Sequence, residues 1–294
     1  MTIREGQVEV PGATLAYRLV SADPQLPLLV FENGWGAPYR YWMFVEKELA
    51  GQAQMLFYDR AGIGNSRLDG AQTVAGLSAQ YAALLQALGL PPAILVGHSY
   101  GGLMSALHAM QQPQSVRGYV QLDSTPERGE ATVDRGIGVI LVLVPVLKLL
   151  ARLGLPEPVF TPALKPYPPE VARAIRSSAF GSARSLTDAA AELRLMPDIR
   201  AALAGPRGTQ PHLAVTATEE KMPAGLLRFL IKPEFAQQLR DRVRALHQEH
   251  AAAGQRGRWG TLPHSHGGLV FTPEGAADSA RVIREFLARD LAGA

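Results

Sequence analysis

From residue 26 to residue 123, short apolar runs alternate with longer stretches of helical pattern. LPLLVF (26–31), QMLFY (54–58), AILVG (93–97) and VRGYVQLD (116–123) have the length of strands. Between them, the segment from Pro38 to about Ala50, residues 74–88, and the stretch from Ser99 to about Gln112 carry helix-forming residues. Strand and helix alternating in this rhythm predict a parallel sheet between two layers of helices, and the near-continuous apolar runs LLVF and AILV agree, since such strands are covered on both faces. Ahead of them, QVEV and ATLAYRLV flank the turn Pro11-Gly12 and predict a hairpin.

The rhythm stops at residue 124 and resumes after residue 206 with HLAVTA (212–217), a helix over about 234–252, RWGTL (258–262) and a last helix from Pro273. Thr272 is placed to cap that helix, with Pro273 in its first turn. The expectation is an α/β chain with a mostly parallel, eight-stranded sheet, its core formed by residues 1–125 and 207–294 and interrupted by a helical lid over 126–206. Within the lid, IGVILVLVPVLKLL (137–150) is the most apolar run of the chain. It is shorter than the roughly 20 residues a bilayer requires, and Pro145 and Lys148 interrupt it. A helix packed on the core or roofing an apolar pocket is the main reading, and contact with a membrane surface the lesser one. The prolines of PVFTPALKPYPPE (158–170) suggest an extended, stiff segment.

Composition narrows the chemistry. With 19% charged residues, a net charge of +3 and no basic cluster interleaved with aromatics, nucleic acid is not an expected partner. The absence of cysteine excludes disulfides, thiolate metal sites and a cysteine nucleophile. The start MTIREGQVEV has no apolar signal region, and a cytoplasmic protein is expected.

One motif concentrates the chemistry. The strand AILV runs into Gly97-His98-Ser99-Tyr100-Gly101-Gly102, and a helix follows. G-x-S-x-G in a strand–turn–helix context is a nucleophile elbow: a sharp turn lifts the serine, small residues accommodate neighbouring backbone, and the helix N-terminus aims N–H groups at developing negative charge. His98 adjoins the serine in sequence, its side chain is expected to point away, and it is not taken as the base.

With this elbow, the alternation of strands and helices and the late histidines, the chain resembles the α/β-hydrolase fold, in the branch with a helical cap after the sixth strand. The loop YDRAGIGNS (58–66) is also characteristic of these hydrolases, and Asp59 and Arg60 in it read as structural. In FENGWG (31–36), Asn33-Gly34 stands where the family usually has His-Gly. An oxyanion hole is built from backbone N–H groups, so the resemblance implies Trp35 and Tyr100 as the donors despite that departure.

A serine nucleophile needs a base, and the base an orienting carboxylate. The resemblance implies the chain order serine, acid, histidine. Asp123, closing an apolar strand at its carboxyl end where ligands collect, is the favoured acid. The family's commoner position follows the seventh strand as Gly-x-x-Asp, but the chain reads Ala217-Thr218-Glu219-Glu220 there, which makes Glu219 and Glu220 the alternatives. For the base, His212 begins a strand at the wrong end of the sheet. His247 and His250 lie three apart on a charged helix and read as a solvated face, with a metal pair as the lesser reading. LPHSHGGLVF (262–271) leaves His264 and His266. In many family members the base stands about seven residues before the proline of the last helix, which favours His266 over His264, although Ser265 replaces the usual preceding glycine.

The expected function is that of a carboxylesterase-like serine hydrolase acting on a small-molecule ester with an apolar portion, without cofactor or metal: Ser99 as nucleophile, His266 as base, Asp123 as acid. Amidase, lactonase, thioesterase, carbon–carbon hydrolase and cofactor-free perhydrolase chemistry are alternatives on the same triad, and a non-catalytic ligand receptor is the alternative of another class. Acyl size and oligomeric state are not written in the sequence.

Overall fold

The computed structural model describes every residue except 22, 154–160, 180–182, 207, 220–232 and 291–294. Glu220, one of the alternative acids, lies outside the described residues.

The N-terminal hairpin forms as its pattern predicts. β1 (Thr2–Val10) pairs with β2 (Ala13–Ser21) in continuous antiparallel register from Thr2↔Ser21 to Val10↔Ala13. Gly12 turns the corner at φ 70°, a conformation that suits glycine. The five-residue runs of β3 (Leu28–Glu32) and β4 (Gln54–Tyr58) are wholly buried, as is β6 (Ala93–His98). β7 (Val116–Leu122), β8 (His212–Ala217) and β9 (Gly257–Leu262) extend the sheet. The spatial order is β1-β2-β4-β3-β6-β7-β8-β9, and the pairs from β4 through β9 are parallel. The eight expected strands are joined by a short ninth, β5 (Arg67–Leu68), which pairs with the hairpin strand β2. Two residues give no periodicity to read, so composition could not announce it.

Alternation along the strands divides the core in two. Leu29, Phe31, Met55, Phe57, Ile94 and Val96 face one layer. There they pack with α1 (Met43–Leu49), the short α9 (Gly268–Phe271) and α10 (Pro273–Asp290). Leu28, Val30, Leu56 and Leu95 face the other, packing with α2 (Val74–Leu88) and α3 (Tyr100–Gln111). The helix ends follow their capping residues. Thr73 accepts the Gly76 N–H at 3.0 Å, and Gly89 closes α2 in the left-handed conformation. Thr272 accepts the Gly275 N–H at 3.2 Å at the start of α10.

Between β7 and β8 come α4 (Ala131–Arg152), a 3₁₀ turn (Thr161–Leu164), α5 (Pro169–Ala179), α6 (Ala183–Arg194) and α7 (Met196–Ala202). Residues 158–160 of the expected extended segment lie outside the described residues; after them the turn at Thr161–Leu164 is a correction, because Pro162 fixes φ near −65°, which a 3₁₀ turn accepts as readily as an extended chain. The apolar run in α4 is divided. Val144 is buried and Ile137, Leu141 and Leu147 pack inward, whereas Val142, Val146 and Leu149 are exposed, as is Leu153 just past the helix. No helix among the described residues is long and apolar enough to cross a membrane.

α8 (Pro233–Ala253) packs on β8 and β9. Its His247 and His250 are buried, which corrects the expected solvated face: the charged neighbours turn outward and the two imidazoles turn to the sheet. Among the described residues no cluster of three or more histidine or carboxylate side chains could hold a metal ion.

The strand order positions the site. β3 lies between β4, which follows it, and β6, which is reached only after the chain has crossed back. The loops leaving β3 and β6 therefore diverge and open a crevice at the carboxyl ends of the strands. FENGWG follows the first of these strands and the elbow follows the second.

Candidate active site

Ser99 sits at the tip of the β6–α3 turn with φ 57° and ψ −123°. Its carbonyl accepts the Thr125 N–H at 2.9 Å, and its own N–H donates to the Leu122 carbonyl at 3.1 Å, which fixes the turn on the end of β7. The glycines of the elbow are sterically required. A Cβ on Gly97 would stand 2.3 Å from the Gly101 carbonyl oxygen, one on Gly101 1.9 Å from the Glu32 carbonyl oxygen, and one on Gly102 2.5 Å from the Ser124 side chain. A Cβ on Gly34 would lie 3.7 Å from Ser99 Cβ, so the FENGWG loop lies directly against the elbow.

Among the described residues, Ser99 and Asp123 are the two non-glycine residues with positive φ. Left-handed backbone is costly for such residues and concentrates at functional sites. Asp123, at φ 45°, donates its N–H to the Val215 carbonyl at 2.7 Å. One carboxylate oxygen accepts the Ala217 N–H at 3.1 Å, and the other lies 2.7 Å from Nδ1 of His266. Burial pushes the Asp123 carboxyl up. The hydrogen bond and charge of His266, the charge of His247 and the Ala217 N–H outweigh it and hold the group below its ordinary value. The His266 side chain is 54% exposed and Asp123 12%, an arrangement of an accessible imidazole on a sheltered carboxylate.

His264 is directed elsewhere: its Nε2 lies 2.8 Å from Asp278 on α10. Glu219 binds the same loop through its backbone, accepting the Ser265 N–H at 3.1 Å and donating its own N–H to the His264 carbonyl at 3.0 Å. The structure thus joins His266 to Asp123, pairs His264 with a surface aspartate, and gives Glu219 to the loop backbone.

His98 points into the site's supporting wall. Its Nε2 lies 2.9 Å from the His266 carbonyl, and the two rings are 4.7 Å apart. Burial, reinforced by the neighbouring His266, lowers its pKa to about 3, so the ring is neutral and Nε2 carries the donated proton. His247 braces the residue after Asp123: its Nε2 donates to the Ser124 carbonyl at 2.7 Å. Its Nδ1 meets the Thr216 hydroxyl at 2.8 Å, and that oxygen accepts the Trp259 indole N–H at 2.9 Å. Sequence reasoning missed these two histidines because nothing in their local pattern distinguishes a buried histidine from a solvated one.

The FENGWG loop is held from several sides. The Gly34 N–H donates to the Tyr41 hydroxyl at 2.8 Å. Asn33 donates to the Tyr58 carbonyl at 2.7 Å and accepts the Trp42 indole N–H at 2.9 Å. Asp59 accepts the N–H groups of Tyr39 and Asn65, and burial pushes its carboxyl to about 6. Arg60 donates to the carbonyls of Asn33 and Gly34 at 2.6 and 3.0 Å. These contacts give Asp59 and Arg60 the structural work expected of them. The Trp35 indole N–H donates to the Ala189 carbonyl on α6, and Tyr100 is the first residue of α3, where a helix offers N–H groups beyond its own ladder.

Residues 27–138 match a family described as alpha/beta hydrolase fold. The chain is 28% identical over 131 residues to a proline iminopeptidase of Clostridioides difficile, an alignment covering 42% of this chain and 44% of that protein. It is 32% identical over 114 residues to the sn-1-specific diacylglycerol lipase ABHD11 of Mus musculus, covering 38% of this chain and 37% of that protein. These alignments span less than half the length of either relative. The crystal structure of the enol-lactonase from Burkholderia xenovorans LB400 superposes over 97% of this chain and 100% of that one, with a TM-score of 0.65 at 20% identity. The chain has the α/β-hydrolase fold.

Proposed function

We propose that this protein is a serine hydrolase that cleaves a carboxylic ester with an apolar portion through an acyl-enzyme on Ser99, with residues 126–206 as the lid over its site. The observation that carries the reading is the 2.7 Å contact of His266 Nδ1 with Asp123, made on the same strand end that anchors the Ser99 turn. Asp123 holds the imidazole in the tautomer with the proton on Nδ1, so Nε2 has the lone pair. Nε2 takes the Ser99 hydroxyl proton as Oγ attacks the ester carbonyl. The oxyanion is received by the backbone N–H groups of Trp35 and Tyr100. The imidazolium, stabilised by Asp123, returns the proton to the departing alcohol. Water, deprotonated by the same nitrogen, then hydrolyses the acyl-enzyme.

Two neighbouring amides of the loop are committed elsewhere. Gly34 N–H is committed to Tyr41 and Gly36 N–H to Glu192, so neither serves a substrate. His98 is neutral and donates to a backbone carbonyl, which supports His266 rather than His98 as the base. The test is turnover of p-nitrophenyl esters of rising chain length. Turnover that disappears in Ser99→Ala supports the reading, and absence of turnover across the panel contradicts it.

A further inference from the structure

Two residues of α6 reach the loops proposed to form the oxyanion hole. Glu192 is buried although it lies on a helix between β7 and β8, far in sequence from those loops. Its Oε2 accepts the Gly36 N–H at 2.9 Å, and its Oε1 accepts from Arg60 Nε at 2.6 Å. That guanidinium in turn binds the carbonyls of Asn33 and Gly34, and it lies 5.0 Å from the centre of the Tyr100 ring. The Tyr100 hydroxyl donates to the Glu192 carbonyl at 3.2 Å. One turn earlier, Ala189 accepts the Trp35 indole N–H, while Leu186 and Ala189 pack on the Trp35 ring. Burial works against the Arg60 charge, and the carboxylates of Glu192 and Glu32 outweigh it. A charge-assisted clamp of this kind is stronger than a neutral one and fixes orientation.

We propose that Glu192 is a positioning residue of the oxyanion hole: with Arg60 it holds the Asn33–Gly36 loop and Tyr100 in one frame, so that seating α6 and assembling the hole are a single event. This rests on the reading of Trp35 and Tyr100 as the oxyanion donors. Glu192 touches no reacting atom, and it acts by fixing the peptide planes on either side of Trp35. Displacement of α6 would withdraw the Gly36 and Trp35 contacts together.

The test compares the wild-type protein, Glu192→Ala and Glu192→Gln in ester hydrolysis, with kcat counted per site titrated by a fluorophosphonate, and in affinity for an aryl trifluoromethyl ketone, which forms the tetrahedral oxyanion. Loss of a whole oxyanion donor costs roughly 100- to 1000-fold, so a displaced donor in Glu192→Ala is expected to lower kcat about 10- to 100-fold. KM is expected to stay within about threefold, with ketone affinity falling in parallel with kcat/KM. Glu192→Gln, which keeps an acceptor for the Gly36 N–H, is expected between the two. If Glu192→Ala fails to fold, Glu192→Gln carries the test, with a parallel loss of kcat and ketone affinity as the expected result. Unchanged kcat and ketone affinity in the folded variants, or a change confined to KM, overturns the proposal while leaving the serine-hydrolase reading intact. A wild-type protein that neither hydrolyses esters nor binds the ketone overturns both.

Discussion

His98 Nε2 lies 2.9 Å from the carbonyl oxygen of His266, so the residue before the candidate nucleophile grips the backbone of the candidate base. The contact spans 168 positions of sequence and ties the β6 turn to the loop after β9. His98→Ala removes the donor and opens space among the rings of Tyr41, Trp42 and Phe271. Small misplacements of a catalytic group cost up to about 100-fold, so kcat is expected to fall about 10- to 100-fold with little change in KM. Steady-state kinetics on a p-nitrophenyl ester check this, and an unaltered kcat would deny the contact a role.

The same pair shapes the pH profile. His98 takes no proton until about pH 3, and Asp123 is held below the ordinary carboxylate value. Neither group titrates between pH 5 and 7, so neither adds a protonation to the acid limb in that range. The acid limb of log(kcat/KM) is expected to have a slope of one. A slope of two would mean that His98, Asp123 or the loop carboxyl Asp59, which burial pushes to about 6, protonates in that range at a cost to activity.

His264 and His266 separate cleanly by partner. His266→Ala removes the imidazole beside Asp123 and is expected to lower kcat by about 10⁴-fold or more. His264→Ala removes a part-buried contact with Asp278, away from Asp123, and is expected to leave turnover within a few-fold. The reverse ranking would shift the base by two residues.

The acid separates by the same logic. Asp123→Asn is expected to cost about 10⁴-fold in kcat, because the amide stabilises the wrong tautomer. Glu219→Gln keeps an oxygen acceptor for the Ser265 N–H and is expected to retain most activity. Near-normal turnover in Asp123→Asn would remove Asp123 from the mechanism.

Stability should have an acid limb of its own. Burial, with the charge of His250 second, lowers the His212 pKa from 6.5 to about 4. The unfolded chain therefore binds a proton near pH 6.5 that the folded chain refuses until about pH 4. The contribution is fully present above pH 6.5 and is lost as the pH falls to about 4, amounting to about 3 kcal/mol. Urea denaturation at pH 7 and pH 4.5 checks this: His212→Gln should lose less stability across that interval than the wild type. An equal loss would place the limb elsewhere.

What the sequence disclosed followed from its steric and hydrophobic demands. Buried parallel strands need continuous apolar runs, so β3, β4 and β6 were legible, and the glycines at 97, 101 and 102 announced a turn that admits no Cβ. The favoured pairing of a late histidine with Asp123 rested on chain order, and the two side chains do meet. The rest depended on contacts that no local pattern encodes. Glu192 lies in an amphipathic helix like any surface carboxylate, yet the fold buries it against Arg60. His247 and His250 stand among charges in sequence and face the sheet in space. Glu219 gave no sign that it would brace the loop carrying both histidines.

The most direct measurement is the site of covalent modification by a fluorophosphonate, mapped by peptide mass spectrometry. The account predicts one adduct per chain on Ser99, absent in Ser99→Ala and strongly slowed in His266→Ala. No adduct, or an adduct on another residue that persists in Ser99→Ala, would contradict it.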